Sequence, residues 1–303
     1  MSYVTTESTS GLPLKRVSAQ QIPDASIKKA TPLAILVDVS SCTGCKACEN
    51  ACVSWHGLQP PIAPVKELVK AGLNYQSSAD LKPNLFTKMN YREVEKENGV
   101  AWVMTKQQCM HCSDPGCLKA CTTPGAVIQY GNGVVDFDQE KCIGCKMCSA
   151  GCPFNIPRFD ANDKPFKCNF CIDRVAAGIT PACAKTCAGN ALHFGSKVDM
   201  LALGTKITDR LKKERGFAEA RLYNPPGVGG TSYMYVLPYG NQPELYAGFP
   251  ADPSISPLVT LWKGPLKYLG GIALMGTLLA ALTHLLTVGP NTPHDDDVHD
   301  KEE

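Results

Sequence analysis

Residues 142–152 read Cys-Ile-Gly-Cys-Lys-Met-Cys-Ser-Ala-Gly-Cys. A thiolate at every third position winds the chain around a compact inorganic core, and three such thiolates leave one corner for a ligand from elsewhere. The fourth cysteine is carried away by the ensuing turn and is free to serve a neighbouring core. The string returns one hundred residues earlier as CTGCKACENAC, with Cys42, Cys45, Cys48 and Cys52 at the offsets of Cys142, Cys145, Cys148 and Cys152. Each copy follows a short apolar run, ILVDV or VVDF, suited to a strand that feeds the loop. The repeat marks duplicated modules.

Two more runs complete the set: Cys109-x2-Cys112-x4-Cys117-x3-Cys121 and Cys168-x2-Cys171-x11-Cys183-x3-Cys187. Together the four runs use all 16 cysteines of the 303 residues. Disulfide-dense folds are small secreted domains, whereas a prior of about 150 residues per domain gives roughly two domains here. Structural zinc also takes C-x2-C pairs, but pairs two separated knuckles and has little need of three evenly spaced cysteines followed by a fourth. The spacing predicts four [4Fe-4S] clusters in an α+β, loop-rich fold of two ferredoxin-like double-cluster units. In two-cluster ferredoxins the last cysteine of a run ligates the other cluster. A short hairpin separates the second and third runs, so they form the inner unit: Cys109, Cys112 and Cys117 with Cys152, and Cys142, Cys145 and Cys148 with Cys121. By elimination the first and fourth runs form the outer unit: Cys42, Cys45 and Cys48 with Cys187, and Cys168, Cys171 and Cys183 with Cys52.

Gly44 and Gly144 permit close approach of the backbone to a cluster. Lys46 and Lys146 lie inside the loops and read as solvated, with a role in offsetting cluster charge as the alternative. His111, between Cys109 and Cys112, reads as a supporting or partner-contact residue. No catalytic residue is expected: no G-x-G-x-x-G opens a helix, no phosphate loop or nucleophile elbow is present, and every thiol is committed.

Around the runs, Ala126–Tyr130 and Val134–Phe137 flank Gly131-Asn132-Gly133 as one hairpin. Asn98-Gly99 joins Lys88–Val94 to Val100–Thr105 as another. Residues 53–85 read as an inserted loop or cover, Asp199–Arg215 as a surface helix, and Tyr223–Pro257 as Pro/Gly-rich and extended. Tyr268–Val288 carries no formally charged side chain other than His284 and is on the order of 30 Å long as a helix, the thickness of a bilayer core. Its face of Ala273, Gly276, Ala280, Thr283, His284 and Thr287 suits a neighbouring helix, while Leu274, Leu278 and Leu285 lie opposite. The organisation expected is an N-terminal extension (1–31), the tandem cluster region (32–198), a helix and extended docking segment (199–257), a transmembrane anchor (258–290) and an acidic tail (291–303). The polar N-terminus has no apolar stretch of the kind a signal peptide needs. Net charge is +2 overall but +7 over residues 1–290 and −5 over the last thirteen, which argues against nucleic-acid binding and sets the tail apart.

The strings QQCMHCSDPGCLKAC, CIGCKMCSAGCPFNIPRF, YNPPGVGGTSYMYVL, QPELYAGFP and GPNTPHDDD, with one C-terminal membrane helix, resemble the iron–sulfur (beta) subunits of membrane-bound respiratory formate dehydrogenases of the N/O type. The resemblance covers nearly the whole chain, although the cluster motifs alone are shared by electron-transfer subunits of other molybdopterin oxidoreductases. It implies a non-catalytic conduit in a heterotrimer, between a molybdenum or tungsten molybdopterin alpha subunit that oxidises formate and a cytochrome b gamma subunit that reduces quinone. It pairs runs one with four and two with three. It places the haem-ligating histidines in the cytochrome subunit, which argues against His284 as an iron ligand. Lys263 and Lys267 before the span, against Lys301 after it, would place the cluster region in the cytoplasm. The resemblance implies the reverse, a periplasmic body on the inner membrane with a cytoplasmic tail, and is followed here because the lysine count is small. A zinc-stabilised structural membrane anchor is the competing reading from another class.

Overall fold

The computed structural model describes residues 4–7, 13–16, 30–60, 65–73, 75–96 and 99–289. Most of the expected N-terminal extension, Asn98 of the expected Asn98-Gly99 turn, and the acidic tail 291–303 lie outside the described residues. Two compact units divide after Ser256.

The first unit opens with a hairpin of β1 (Val4–Glu7) and β2 (Pro13–Arg16). Its centre is a four-stranded mixed sheet built on β3 (Leu33–Asp38). β3 lies parallel to β12 (Tyr233–Leu237) and antiparallel to β10 (Leu192–Ser196), and β11 (Arg221–Tyr223) closes the other edge against β12. Because side chains alternate along a strand, Ala34 and Leu36 of β3 join Met234 and Val236 of β12 on one face. Ile35 and Val37 join Tyr233, Tyr235 and Leu237 on the other. Both faces are covered, so these strands are apolar throughout rather than alternating.

The first face is covered by α7 (Lys197–Glu214), which contributes Met200, Ile207 and Leu211. Ser196 caps it, accepting from the Asp199 N–H at 3.1 Å, and the helix begins two residues before the expected Asp199. Gly204 allows the close approach: a Cβ there would lie 2.7 Å from Leu222 and 3.1 Å from Leu36.

The second face carries the cysteine region. The first run leads into α1 (Ala47–His56), and segment 53–85 includes α2 (Val65–Lys70). That segment covers the body as expected, and it also supplies buried core through Leu58, Leu81 and Leu85. β4 (Lys88–Lys96) and β5 (Gly99–Gln107) form the long hairpin, paired from Lys88↔Gln107 to Lys96↔Gly99. α3 (Gly116–Ala120) follows the second run. β6 (Val127–Gln129) and β7 (Val135–Phe137) form the expected short hairpin, its turn held by the Gly133 N–H on the Tyr130 carbonyl at 2.9 Å. α4 (Met147–Ala150), the β8 (Arg158–Phe159) and β9 (Pro165–Phe166) pair, α5 (Ile172–Ala176) and α6 (Ala182–Lys185) complete the body.

One expectation changes. The Tyr223–Pro257 stretch is not extended docking chain throughout: Tyr233–Leu237 is a strand inside the sheet, and all five of its residues are fully buried. The unbroken run Tyr-Met-Tyr-Val-Leu between Gly230 and Pro238 is the signature of a strand buried on both faces.

The second unit contains α8 (Pro257–Lys263) and α9 (Pro265–Thr287). Within α9, Tyr268–Thr287 is a 20-residue stretch of mean hydropathy 1.8, apolar and long enough to cross a membrane. Every side chain of that stretch is exposed, on the small-residue and leucine faces alike.

Candidate metal centres

The sixteen sulfurs fall into four quartets. Cys42, Cys45, Cys48 and Cys187 line one cavity, with Val37, Met89 and Lys106 beside them. Cys109, Cys112, Cys117 and Cys152 line a second, with His111, Val135 and Lys167. Cys52 faces Cys168, Cys171 and Cys183 closely enough for their charges to raise its pKa. Cys148 is raised in the same way by Cys142, Cys121 and Cys145. Each quartet therefore holds three cysteines of one run and one from another.

Neighbouring quartets also touch electrostatically. Cys183 raises the Cys48 thiol, Cys109 raises Cys168, and Cys148 raises Cys117. The quartets thus stand in a file: Cys42/Cys45/Cys48/Cys187, then Cys168/Cys171/Cys183/Cys52, then Cys109/Cys112/Cys117/Cys152, then Cys142/Cys145/Cys148/Cys121. The Cys168 quartet is buried throughout and the Cys109 quartet is half-buried, whereas Cys45 and Cys145 at the two ends are exposed.

The runs share a local geometry. Two residues after the first cysteine of each run stands a residue in the left-handed region: Gly44 (φ 67°), His111 (47°), Gly144 (76°) and Phe170 (63°). Its N–H then turns back on the first sulfur. The contact measures 3.4 Å for His111 to Cys109, Gly144 to Cys142 and Phe170 to Cys168. Gly44 makes the same bond to Cys42. The repeat extends to Lys46 and Lys146, both left-handed (φ 60° and 62°) immediately before α1 and α4. Such N–H donors stabilise negative charge on sulfur, in a thiolate or a bound cluster.

Burial governs the thiols. It pushes Cys48 and Cys148 up to about 12 and Cys168 to about 11. Burial likewise raises Cys52 well above the ordinary value, with the three facing thiols adding to it. Exposed Cys145 is instead drawn down, by the Met147 N–H and the Thr122 hydroxyl. Buried thiolates need a positive partner, either a metal or a cation of the chain.

Two such cations are present. The ammonium of Lys106, 2 % exposed, donates to Gln108 Oε1 at 2.9 Å and lies 4.9 Å from the Tyr233 ring centroid. Lys167, 3 % exposed, donates to the carbonyls of Val135 and, at 3.1 Å, Cys168. Burial opposes both charges, but the thiolates, joined at Lys167 by the Asp136 carboxylate, outweigh it and hold both lysines above their ordinary value. Of the lysines singled out by motif position, Lys146 is half exposed and pairs with Asp163, whereas Lys46 is half-buried at the rim of the Cys42 quartet's cavity, 5.6 Å from the Tyr91 ring.

His111 is fully buried, so its partner-contact alternative is excluded. Burial drives its imidazole well below the usual value, the neutral ring accepts the Val135 N–H on Nδ1 at 3.0 Å, and it stands edge-on to Phe170 at 5.1 Å. His56, one helical turn after Cys52 on α1, places Nε2 3.7 Å from the Cys171 sulfur. The sequence reading passed over it, although the Cys52-x3-His56 spacing puts both side chains on one face of a helix.

The donor set consists of soft thiolates in quartets, each supplied with backbone donors. Among the described residues no three cysteine, histidine or carboxylate groups converge on the position of a single ion. A tetrahedral zinc site requires such convergence, with sulfurs about 2.3 Å from the metal. The open quartets suit a multi-iron cluster.

Comparison with known proteins agrees with the geometry. Two 4Fe-4S dicluster domain families match residues 41–126 and 100–197, and the formate dehydrogenase N transmembrane family matches residues 255–297. The nitrate-inducible formate dehydrogenase iron-sulfur subunit of Escherichia coli (strain K12) is 47 % identical over 272 residues, covering 89 % of this chain and 90 % of its own. A formate dehydrogenase iron-sulfur subunit of Haemophilus influenzae is 48 % identical over 271 residues, covering 89 % and 85 %. The formate dehydrogenase-O iron-sulfur subunit of Escherichia coli is 45 % identical over 266 residues, covering 88 % and 86 %.

Proposed function

The chain belongs to the iron–sulfur subunits of formate dehydrogenases, carries four [4Fe-4S] clusters and serves electron transfer, and from that premise we propose a specific ligand set, partner set and orientation. Cys42, Cys45, Cys48 and Cys187 hold one cluster, and Cys168, Cys171, Cys183 and Cys52 the next. Cys109, Cys112, Cys117 and Cys152 hold the third, and Cys142, Cys145, Cys148 and Cys121 the fourth. When bound, the clusters supply one-electron chemistry at potentials set by charge, hydrogen bonds and exposure.

The residues of the chain supply the rest. The left-handed residues at 44, 111, 144 and 170 aim N–H groups at the first sulfurs, the aromatic core of Phe170, Tyr233 and Tyr235 keeps water from the buried Cys168 quartet, and the exposed Cys45 and Cys145 bring the two ends of the file to the surface. The observation that carries this reading is the single file with one exposed cysteine at each end. It suits a body that accepts electrons at one end and gives them up at the other. The donor is a molybdopterin catalytic subunit, with molybdenum or tungsten, that oxidises formate; the acceptor is a cytochrome b subunit that reduces quinone. The Tyr268–Thr287 span anchors the chain as a single pass in the inner membrane, with the body periplasmic and the tail cytoplasmic.

The ligand set is tested by Cys152→Ser in the full chain. Iron should fall by about one cluster of four irons, and the electron paramagnetic resonance signal lost should belong to the Cys109 quartet, with the Cys142 signal kept. Loss of the Cys142 signal first would refute the exchange of fourth ligands. A reporter fused after Glu303 that is active only in the periplasm would refute the orientation.

A further inference from the structure

Two lysines that no cluster motif contains stand at successive junctions of the file. Lys106 lines the cavity of the Cys42 quartet and lies 4.9 Å from the ring centroid of Tyr233, whose hydroxyl is 3.5 Å from the Cys183 sulfur, so its charge acts on Cys48 of the first quartet and on Cys52, Cys168 and Cys183 of the next. Lys167 lines the cavity of the Cys109 quartet, faces the buried Asp136 carboxylate as well as Cys109 and Cys117, and reaches across the junction to donate to the Cys168 carbonyl at 3.1 Å. Both are held in place: Lys106 by Gln108, which in turn binds the Tyr235 hydroxyl, and Lys167 by the Val135 and Cys168 carbonyls and, 5.3 Å away, the Phe137 ring.

We infer that Lys106 and Lys167 are fixed cations between successive clusters that raise the reduction potentials of the clusters on either side. The inference rests on the ligand sets proposed above. A reduced cluster carries one more negative charge than an oxidised one, so a nearby buried cation favours the reduced form. The low dielectric of the interior strengthens that effect relative to the same charge on an exposed lysine. A cation at a junction has a second consequence: it lies between two reduced neighbours and weakens their repulsion, so one cluster takes up its electron with less penalty from the other. At the third junction, between the Cys109 and Cys142 quartets, Lys167 acts on the inner side through Cys109 and Cys117.

The test is redox titration, followed by electron paramagnetic resonance, of the full chain in its detergent-solubilised complex, with Lys106→Gln, Lys167→Gln and the two Arg counterparts. Iron content and the signals of the unaltered complex check the ligand sets separately. Lys106→Gln should make the clusters of the Cys42 and Cys168 quartets harder to reduce by about tenfold in equilibrium constant, which is about 59 mV for one electron, and leave the Cys142 cluster unmoved. Lys167→Gln should shift the Cys109 and Cys168 clusters in the same direction. The Arg variants should titrate close to the unaltered protein, a rescue that a merely structural role would not produce selectively. Each lysine faces two clusters, so if a Gln variant loses one, the surviving neighbour still gives the reading. Unshifted potentials in the Gln variants, or Arg variants shifted as far as Gln, would overturn the inference.

Discussion

The backbone N–H of Gly144 donates to the sulfur of Cys142 at 3.4 Å, from a residue held at φ 76°. The bond requires the left-handed turn, and Gly44 makes its counterpart to Cys42. Packing separates the two glycines. A Cβ at Gly144 would meet Asp163 Cβ at 3.1 Å, whereas one at Gly44 would run into Met104 Sδ and lie 2.8 Å from Tyr91.

Gly144→Ala is therefore expected to keep its cluster at a stability loss of about 1 kcal/mol, the usual penalty of a side chain in this conformation. Gly44→Ala should also displace Tyr91, whose hydroxyl donates to the Gly44 carbonyl, and lose iron from the Cys42 quartet. Iron per chain and the signals of the two end clusters measure this. Equal retention in both variants would contradict the packing argument.

The same turn shows what was legible beforehand. The x2-x2-x3 spacing is local, because three ligands on one loop write their geometry into consecutive residues, and the hundred-residue repeat exposed it twice. His111 and Phe170 adopt the left-handed turn without glycine, so the identical device in the second and fourth runs left no compositional mark. Lys106 was invisible for a different reason. In sequence it is a polar position on a hairpin, Thr105-Lys106-Gln107, and only the packing of β5 against β12 and the cysteine loops removes it from water. Lys46 and Lys146 hold the same αL position at a helix start, yet Lys146 turns outward to Asp163 while Lys46 stays at the rim of the Cys42 quartet's cavity beside Tyr91. Strand β12 was passed over because its flanking glycines and prolines masked a run of five buried residues.

Gly204 sets the spacing of α7 on the sheet. Replacing it by Val would gain helix propensity of a few tenths of a kcal/mol but drive branched carbons into Leu222 and Leu36. Overpacking of this kind costs about 1–3 kcal/mol, so the packing loss should win. The midpoint of denaturant unfolding is expected to fall, while the cluster signals, which lie on the other face of the sheet, stay unchanged in shape. A variant as stable as the original would show that the helix can shift outward without penalty.

Lys88 gives the fold a pH dependence. It is 2 % exposed and donates to Gln76 Oε1, Ser78 O and Ala79 O at 2.8, 3.0 and 2.6 Å. Burial brings its pKa from 10.5 down to about 8, with Asp80 and Glu49 acting the other way. Between those two values the unfolded chain holds the proton and the folded chain releases it, so this group makes stability rise with pH across the window and stay flat below about 8. Lys88→Met should remove that rise. It should also be less stable at neutral pH by about 1–3 kcal/mol, since two buried acceptors, on Gln76 and Ser78, lose their donor. Unfolding midpoints of the two proteins measured across the window should diverge as pH increases, and a constant difference would rule out a depressed lysine.

The span Tyr268–Thr287 has 20 residues, mean hydropathy 1.8 and exposed side chains throughout. An apolar surface of that length exposed to water would be a liability, and a bilayer removes it. Leu278 lies near the middle of the span, where an arginine costs about 2.5–3.5 kcal/mol of insertion. Near the ends the same side chain could snorkel to the headgroups, so the penalty should depend on depth. Leu278→Arg is thus expected to reduce the fraction of chain that stays in membranes after alkaline carbonate washing, and Leu278→Phe to leave it unchanged. Arginine in place of Leu269, near the start of the span, should have a much smaller effect. If all three variants were retained alike, the helix would be held by protein contacts rather than by lipid.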